Sequence, residues 1–139
     1  MTNGAKVFIK NIQTGKYLFV LRDDKPTIPN PNRWGLLGGG VEEGETPKDA
    51  LKRELQEETN IHIFHIQQIG QRSVTLTVQG KQSVVTGTYF IAETDTPLKE
   101  MTLREGQELN YFSLEQICQM ENVVQSIPKL TKEYATYIQ

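Results

Sequence analysis

Three consecutive glycines, Gly38, Gly39 and Gly40, precede Thr46-Pro47 and then the run Lys52-Arg53-Glu54-Leu55-Gln56-Glu57-Glu58. No other part of the chain restricts its fold as much. Glycines in a row reach backbone conformations closed to other residues and let another group come close. Thr46 is a good helix N-cap, and Pro47 suits the first helical position, where no N–H is needed. Asp49 follows in the first turn, where a carboxylate meets the positive end of the helix dipole. A helix is therefore expected from Pro47 to about Thr59, with Asn60 as a left-handed residue just beyond its end. On that helix Glu54 and Glu58 are an i,i+4 pair and Glu54 and Glu57 an i,i+3 pair, so three carboxylates share one side. This acidic stripe borders the apolar stripe of Leu51 and Leu55 instead of lying opposite it.

Like charges at these spacings repel, at a cost of a few tenths of a kcal/mol, roughly, per pair. A divalent cation removes the conflict. Mg²⁺ takes hard oxygen ligands in octahedral geometry and keeps several waters, so carboxylates on a rigid helix can supply part of its shell. Taken alone, the helix reads more readily as a solvated acidic face with an Arg53–Glu57 pair, and the glycines as a turn. Glu45 links the two segments. It stands eight residues before Arg53, close enough for a guanidinium to hold this loop carboxylate and fix the glycines against the acidic face.

The rest of the chain supplies a sheet. Val7-Phe8-Ile9 and Tyr17–Leu21 read as strands joined through Thr14-Gly15. Pro26, Pro29 and Pro31 make residues 23–33 a stiff, unpaired loop. Strands are expected over 61–69, 72–78 and 81–92, the last two joined at Gln79-Gly80, and over Leu109–Phe112 after a loop at 93–106. Ser113 and Gln116 form a capping box for a short helix. A final helix is expected after Pro128, with Leu130, Tyr134 and either Tyr137 or Ile138 facing inward. Strands before and after a helix, with helices at the end, predict an α+β chain with helices packed on a mixed sheet.

The 139 residues suit one domain, read here as 1–139, large enough for a single core. Lys+Arg 15 against Asp+Glu 17 leaves a net charge of −2, which argues against nucleic acid or an anionic membrane as a whole-chain partner. Cys118 is the one cysteine, so no intrachain disulfide forms and a reducing setting is expected. No apolar run reaches membrane length, and Met1–Lys6 lacks the apolar centre of a signal peptide, so a cytoplasmic location is expected. His62 and His65 read as ordinary strand residues, since Mg²⁺ prefers oxygen.

Residues 39–61 resemble the signature of the Nudix hydrolases. That signature is Gly, five residues, Glu, seven residues, Arg-Glu, an aliphatic, any residue, Glu-Glu, any residue, Gly, an aliphatic. Gly39, Glu45, Arg53, Glu54, Leu55, Glu57, Glu58 and Ile61 stand at the matching positions, with Asn60 in place of the second glycine. Asn tolerates left-handed backbone better than other non-glycine residues. Six identities at fixed spacing would arise by chance about once in ten million windows. Trp34-Gly35-Leu36-Leu37-Gly38-Gly39 is similar to the family's Trp-x-x-Pro-Gly-Gly lead-in, with Leu37 for Pro. Residues 105–114 look like its late acidic loop and following strand.

The resemblance implies an α/β/α sandwich (the Nudix fold) and an Mg²⁺-dependent hydrolase, with Mn²⁺ as a substitute ion. The enzyme would cut the pyrophosphate linkage of a nucleoside diphosphate derivative. Glu54, Glu57 and Glu58 would bind the metal, with the Gly38 carbonyl as a further ligand. Glu105 would be an added ligand or general base, with Glu108 as its alternative. Arg53 and Glu45 would orient helix and loop, and Gly39 would support them. Arg22, Trp34 and Asn122 are the substrate-binding candidates, Asn122 by loose similarity to a MutT-type base-reading asparagine. Trp34, Tyr89, Phe90, Tyr111 and Phe112 read mainly as core rings.

The short format resembles MutT-like enzymes on (deoxy)nucleoside triphosphates, giving a monophosphate. Nucleotide sugars, dinucleoside polyphosphates and RNA 5′-triphosphates stay open, as does a nucleotide-binding regulatory role. The intact carboxylates argue against the last. A Nudix-fold isomerase of isopentenyl diphosphate would need its own cysteine and acidic residues outside the signature, and Cys118 sits late in the chain. A homodimer is compatible with the family and demanded by no residue.

Overall fold

The computed structural model describes residues 2–138. The strands are β1 (Gly4–Asn11), β2 (Tyr17–Leu21), β3 (Trp34–Gly35), β4 (Leu37–Gly40), β5 (Phe64–Val78), β6 (Lys81–Thr94) and β7 (Glu108–Phe112). The helices are α1 (Pro47–Glu58), α2 (Leu114–Gln119) and α3 (Ser126–Glu133). The strands join in one mixed sheet of order β3-β2-β1-β6-β5, with β4 on β1 and β7 on β2. β1 and β6 run parallel over Gly4–Asn11; the other pairs are antiparallel.

Strand alternation sorts the core into two layers. From β1, Ala5, Val7 and Ile9 pack with Leu51 and Leu55 of α1, while Phe8 packs with Ile117, Ile127 and Leu130 of α2 and α3. Helices therefore cover both faces, the sandwich that the resemblance implies. One edge of β1 is divided. Ile9 and Lys10 pair with β2, whereas Gly4–Val7 pair with β4. Beyond that point β2 pairs with β3 instead. The divergence of β1 and β2 opens a cleft at the sheet's centre, next to α1.

α1 starts as expected, with the Thr46 hydroxyl accepting from the Asp49 amide at 3.1 Å and Pro47 in the first turn. Its end differs. Thr59 is extended, and Asn60 is not among the non-glycine residues of positive φ. The Thr59 hydroxyl donates to the Leu55 carbonyl at 3.1 Å. The Asn60 side chain accepts from the Thr102 amide at 2.7 Å and donates to the Glu100 carbonyl at 3.0 Å. Asn60 is thus used for its amide group, not for a left-handed backbone.

Three further differences have local causes. The glycines are not a turn: with Leu37 they form β4, paired antiparallel with β1. The strands expected at 61–69 and 72–78 are one strand, 64–78, with irregular pairing near Phe64 and Gln68. Gly70 does not break it; a Cβ there would lie 2.5 Å from the Tyr134 hydroxyl, so the glycine admits that ring. α3 begins at Ser126, because Pro128 falls in the first turn, where its missing N–H costs nothing. Ile138 and not Tyr137 is buried beyond it, at 3% against 46% exposed. The hairpin at Gln79-Gly80 is as expected, with positive φ at both residues. So is the Ser113–Gln116 capping box. Among the described residues no helix is long and apolar enough to cross a membrane.

Candidate active site

The cleft where β1 and β2 part encloses about 680 Å³. Glu54, Glu57 and Glu58 of α1 line it beside Gly38, Gly39 and Gly40 of β4. Lys6 of β1, Arg22 after β2, residues of the proline loop, and Glu105-Gly106 complete the wall, with Leu76 of β5 at its edge.

Arg53 organises the acidic wall. Its Nε donates to Glu45 Oε2 at 2.7 Å and its Nη2 to Glu45 Oε1 at 2.9 Å, a two-pronged pair. Nη2 also donates to the Gly40 carbonyl at 2.9 Å, and Nη1 reaches Glu54 at 3.0 Å and Glu57 at 3.3 Å. One guanidinium thereby joins the loop, β4 and the helix. Glu45 also accepts from the Glu42 amide at 2.9 Å. The Arg53 hydrogen bonds, and then this amide, hold the Glu45 carboxyl down at about 2.

A pH dependence follows from this pair. The folded value for Glu45 lies below its ordinary 4.5, so the stability it contributes is complete above 4.5 and is lost as pH falls toward about 2. The gap in melting temperature between the wild type and Glu45→Gln should therefore shrink steadily over that range. A gap that stays constant with pH would refute the coupling.

Gly38 and Gly39 are required by close approach. Gly38 has φ +132°, and a Cβ on it would strike the Ala5 carbonyl. A Cβ on Gly39 would collide with the Glu54 carboxylate, which rests directly on the strand backbone. Glu58 points inward and is 7% exposed. Burial pushes its carboxyl up to about 8; the Lys6 ammonium opposes the rise, and the Glu54 and Glu105 charges and a hydrogen bond with Glu54 add to it.

Glu105 is placed by its neighbour. Arg104 donates from Nη1 to the carbonyls of Thr59 at 2.7 Å and Gln56 at 2.9 Å, and from its backbone amide to the Glu58 backbone carbonyl at 2.7 Å. α1 has no basic residue in its last turn, and Arg104 brings one from the loop to the helix C-terminus. The next residue, Glu105, then lines the cleft across from Glu58. Glu108 opens β7 opposite Leu21, is exposed, and does not line the cleft.

Of the three substrate-binding candidates, the structure brings only Arg22 to the cleft. Its Nε donates to the Pro29 carbonyl at 2.9 Å. Trp34 is buried and packs edge-on against Phe112 with centroids 5.0 Å apart, so its ring belongs to the core. Asn122 is exposed and outside the cleft; its carbonyl accepts from the Trp34 amide at 2.8 Å. Sequence reasoning singled out neither Lys6 nor Arg104. The visible signal for Lys6 was a lysine between the apolar residues Ala5 and Val7.

Among the described residues no three Asp, Glu, His or Cys side chains stand at the spacing of a formed metal shell, and Arg53 bonds to both Glu54 and Glu57. The donor chemistry nonetheless suits a hard cation. A buried carboxyl lies among like charges, and Gly38, Gly39 and Gly40 of β4 carry no side chains to shield them.

The sequence model described as the NUDIX domain matches residues 2–134. The chain is 49% identical over 45 residues to the nucleoside triphosphatase NudI of Escherichia fergusonii, a match covering 32% of this chain and 30% of that protein. The curated relatives are thus matched over less than a third of their length. The MutT protein of Methanosarcina mazei Go1 superposes with TM-score 0.71 at 21% identity, covering 97% of this chain and 93% of that one. The NUDIX domain of Shewanella oneidensis NrtR, solved with ADP ribose, superposes with TM-score 0.76 at 17% identity, covering 100% and 89%. The domain match runs through β1, the glycine strand, the Arg53-organised helix and the late loop alike, and so the chain belongs to the Nudix family.

Proposed function

We propose that this protein hydrolyses the pyrophosphate linkage of a nucleoside diphosphate derivative, most readily a (deoxy)nucleoside triphosphate, in an Mg²⁺-dependent reaction that gives a nucleoside monophosphate. The observation that carries this reading is the buried Glu58 carboxyl, hydrogen-bonded to Glu54 and close to the Glu105 charge, in a cleft that Lys6 and Arg22 also line. Nudix hydrolases generally use divalent metal cations. Glu54, Glu57 and Glu58 would hold the ion here, with the Gly38 carbonyl as a further ligand. A bound divalent cation neutralises pyrophosphate charge and acidifies water.

The chain's own groups do the rest. Glu105 accepts the proton of the attacking water. Arg53 and Glu45 keep α1 and β4 in register, and Arg22 meets the substrate from the opposite wall. The similarity to a nucleoside triphosphatase supports a triphosphate as substrate.

The test is a substrate panel with Mg²⁺: nucleoside triphosphates, oxidised dGTP, nucleotide sugars, dinucleoside polyphosphates and 5′-triphosphate RNA. Metal-dependent release of a monophosphate from the triphosphates is expected. Glu105→Gln should lower kcat by about 10²-fold or more, the scale of a lost general base. Unchanged kinetics would remove Glu105 from that role. No turnover on any class, with nucleotide binding retained, would overturn the enzymatic reading in favour of a regulatory one.

A further inference from the structure

Glu54 and Glu57 are bonded to Arg53, and Glu58 to Glu54. Glu105 has no such hold. Its carboxylate lies in the fields of Lys6, Arg22 and Glu58, but among the described residues no hydrogen bond or ion pair fixes it. Its place in the cleft is therefore set by the backbone on either side of it. That backbone, residues 100–107, is a strap fastened at one end to the terminus of α1 and at the other to the start of the proline loop.

Three contacts fasten the strap to α1 ahead of Glu105. Asn60 donates from Nδ2 to the Glu100 carbonyl at 3.0 Å and accepts at Oδ1 from the Thr102 amide at 2.7 Å. Thr59 and Leu103 form an isolated antiparallel bridge. Arg104 Nη1 donates to the carbonyls of Thr59 at 2.7 Å and Gln56 at 2.9 Å, groups that a helix end leaves open. Just after Glu105, Gln107 makes the second fastening. Its amide donates to the Leu21 carbonyl at 2.8 Å, and its Nε2 to the Arg22 carbonyl at 2.8 Å and to Asn32 Oδ1 at 2.9 Å. The strap thus ties the segment that carries Glu58 to the one that carries Arg22. Asn60, Arg104 and Gln107 do not line the cleft themselves. A glycine at position 60, as in the Nudix signature, would have no side chain to make the first of these contacts.

We propose that Asn60, Arg104 and Gln107 are positioning residues, which hold Glu105 by its backbone from both sides and so set where its carboxylate meets the attacking water. The proposal rests on Glu105 as the general base of the hydrolytic reading and says how this chain keeps that base in place.

The experiment makes Asn60→Gly, Arg104→Met and Gln107→Met, each alone and each combined with Glu105→Gln. Alone, Arg104→Met and Gln107→Met should lower kcat by about 10- to 100-fold, the scale of a displacement of about 1 Å, with a smaller change in KM. Asn60→Gly should act in the same direction. Arg104→Lys, which keeps a donor for the helix carbonyls, should recover part of the loss. Since the three residues act through Glu105, adding any of them to Glu105→Gln should cost less than about twofold more. Losses that simply multiply would show that they support some other group, and would overturn the proposal. A second readout needs no turnover. Amide hydrogen exchange over residues 100–107 should be about tenfold faster in Arg104→Met and Gln107→Met, while residues 50–55 keep the wild-type rate. Unchanged exchange along the strap overturns the proposal. Wild-type kinetics in Glu105→Gln overturns it as well and leaves hydrolysis itself standing. A wild type that cleaves nothing in the panel fails the hydrolytic reading, and the exchange comparison still decides whether these side chains hold the strap.

Discussion

Glu58→Gln is expected to lower kcat by about 10³-fold or more on the panel's best substrate while leaving the protein folded. The substitution keeps the shape of the side chain and removes a carboxylate from the centre of the acidic wall; a loss of about 4 kcal/mol of charge stabilisation gives this factor. Stability should move the other way. The folded Glu58 carboxyl titrates at about 8, above its ordinary 4.5. Between those values the native state keeps a proton that the unfolded chain has released, so in metal-free protein this group's contribution to stability falls as pH rises. The neutral amide has no such slope. Without metal, the variant should melt at or above the wild type at pH 9, with the two closer together at pH 5. Near-normal turnover by Glu58→Gln would remove Glu58 from the metal-binding set. A variant that melts far below the wild type at high pH would contradict the burial argument.

Arg53→Lys is expected to cost about 10²-fold in kcat, although the charge is kept. An ammonium cannot reproduce the paired bonds to both Glu45 oxygens together with those to the Gly40 carbonyl, Glu54 and Glu57. The glycine strand and the acidic helix would then lose their common anchor, and a displacement of about 1 Å at a site of this kind costs about that factor. Helix content by circular dichroism should hold, because α1 keeps its Thr46 cap and its Leu51 and Leu55 contacts. Wild-type kinetics in Arg53→Lys would mean that charge alone, not the fork of hydrogen bonds, positions the wall.

Residue types at fixed spacing made much of this legible in advance. The start of α1 follows from Thr46-Pro47, the capping box from Ser113 and Gln116, and the hairpin from Gln79-Gly80, because each depends on neighbours in the chain. The Glu45–Arg53 pair was readable for the same reason, with eight residues between partners. Less legible were features whose partners lie far along the chain. Gly70 reads as a break until Tyr134 is seen above it, more than sixty residues later. Asn60 reads as a left-handed residue until the 100–102 segment is found bonded to its side chain. Trp34 and Asn122 suit a base-binding role by type, and only packing assigns one to the core and the other to the surface.

The sequence by itself determined the family resemblance, the helix that carries the carboxylates, and the layered α+β architecture. Local propensity, capping and hydrophobic alternation act over a few residues, and the chain displays them directly. Tertiary structure alone decided that β1 divides its edge between β2 and β4, which opens the cleft. It also placed Glu105 there through Arg104, and turned Lys6 and Arg22 toward Glu58. These juxtapositions depend on strand order and on hydrogen bonds between distant residues, such as Arg104 and Thr59 at 45 positions apart, and no local pattern encodes which distant segment will supply the partner.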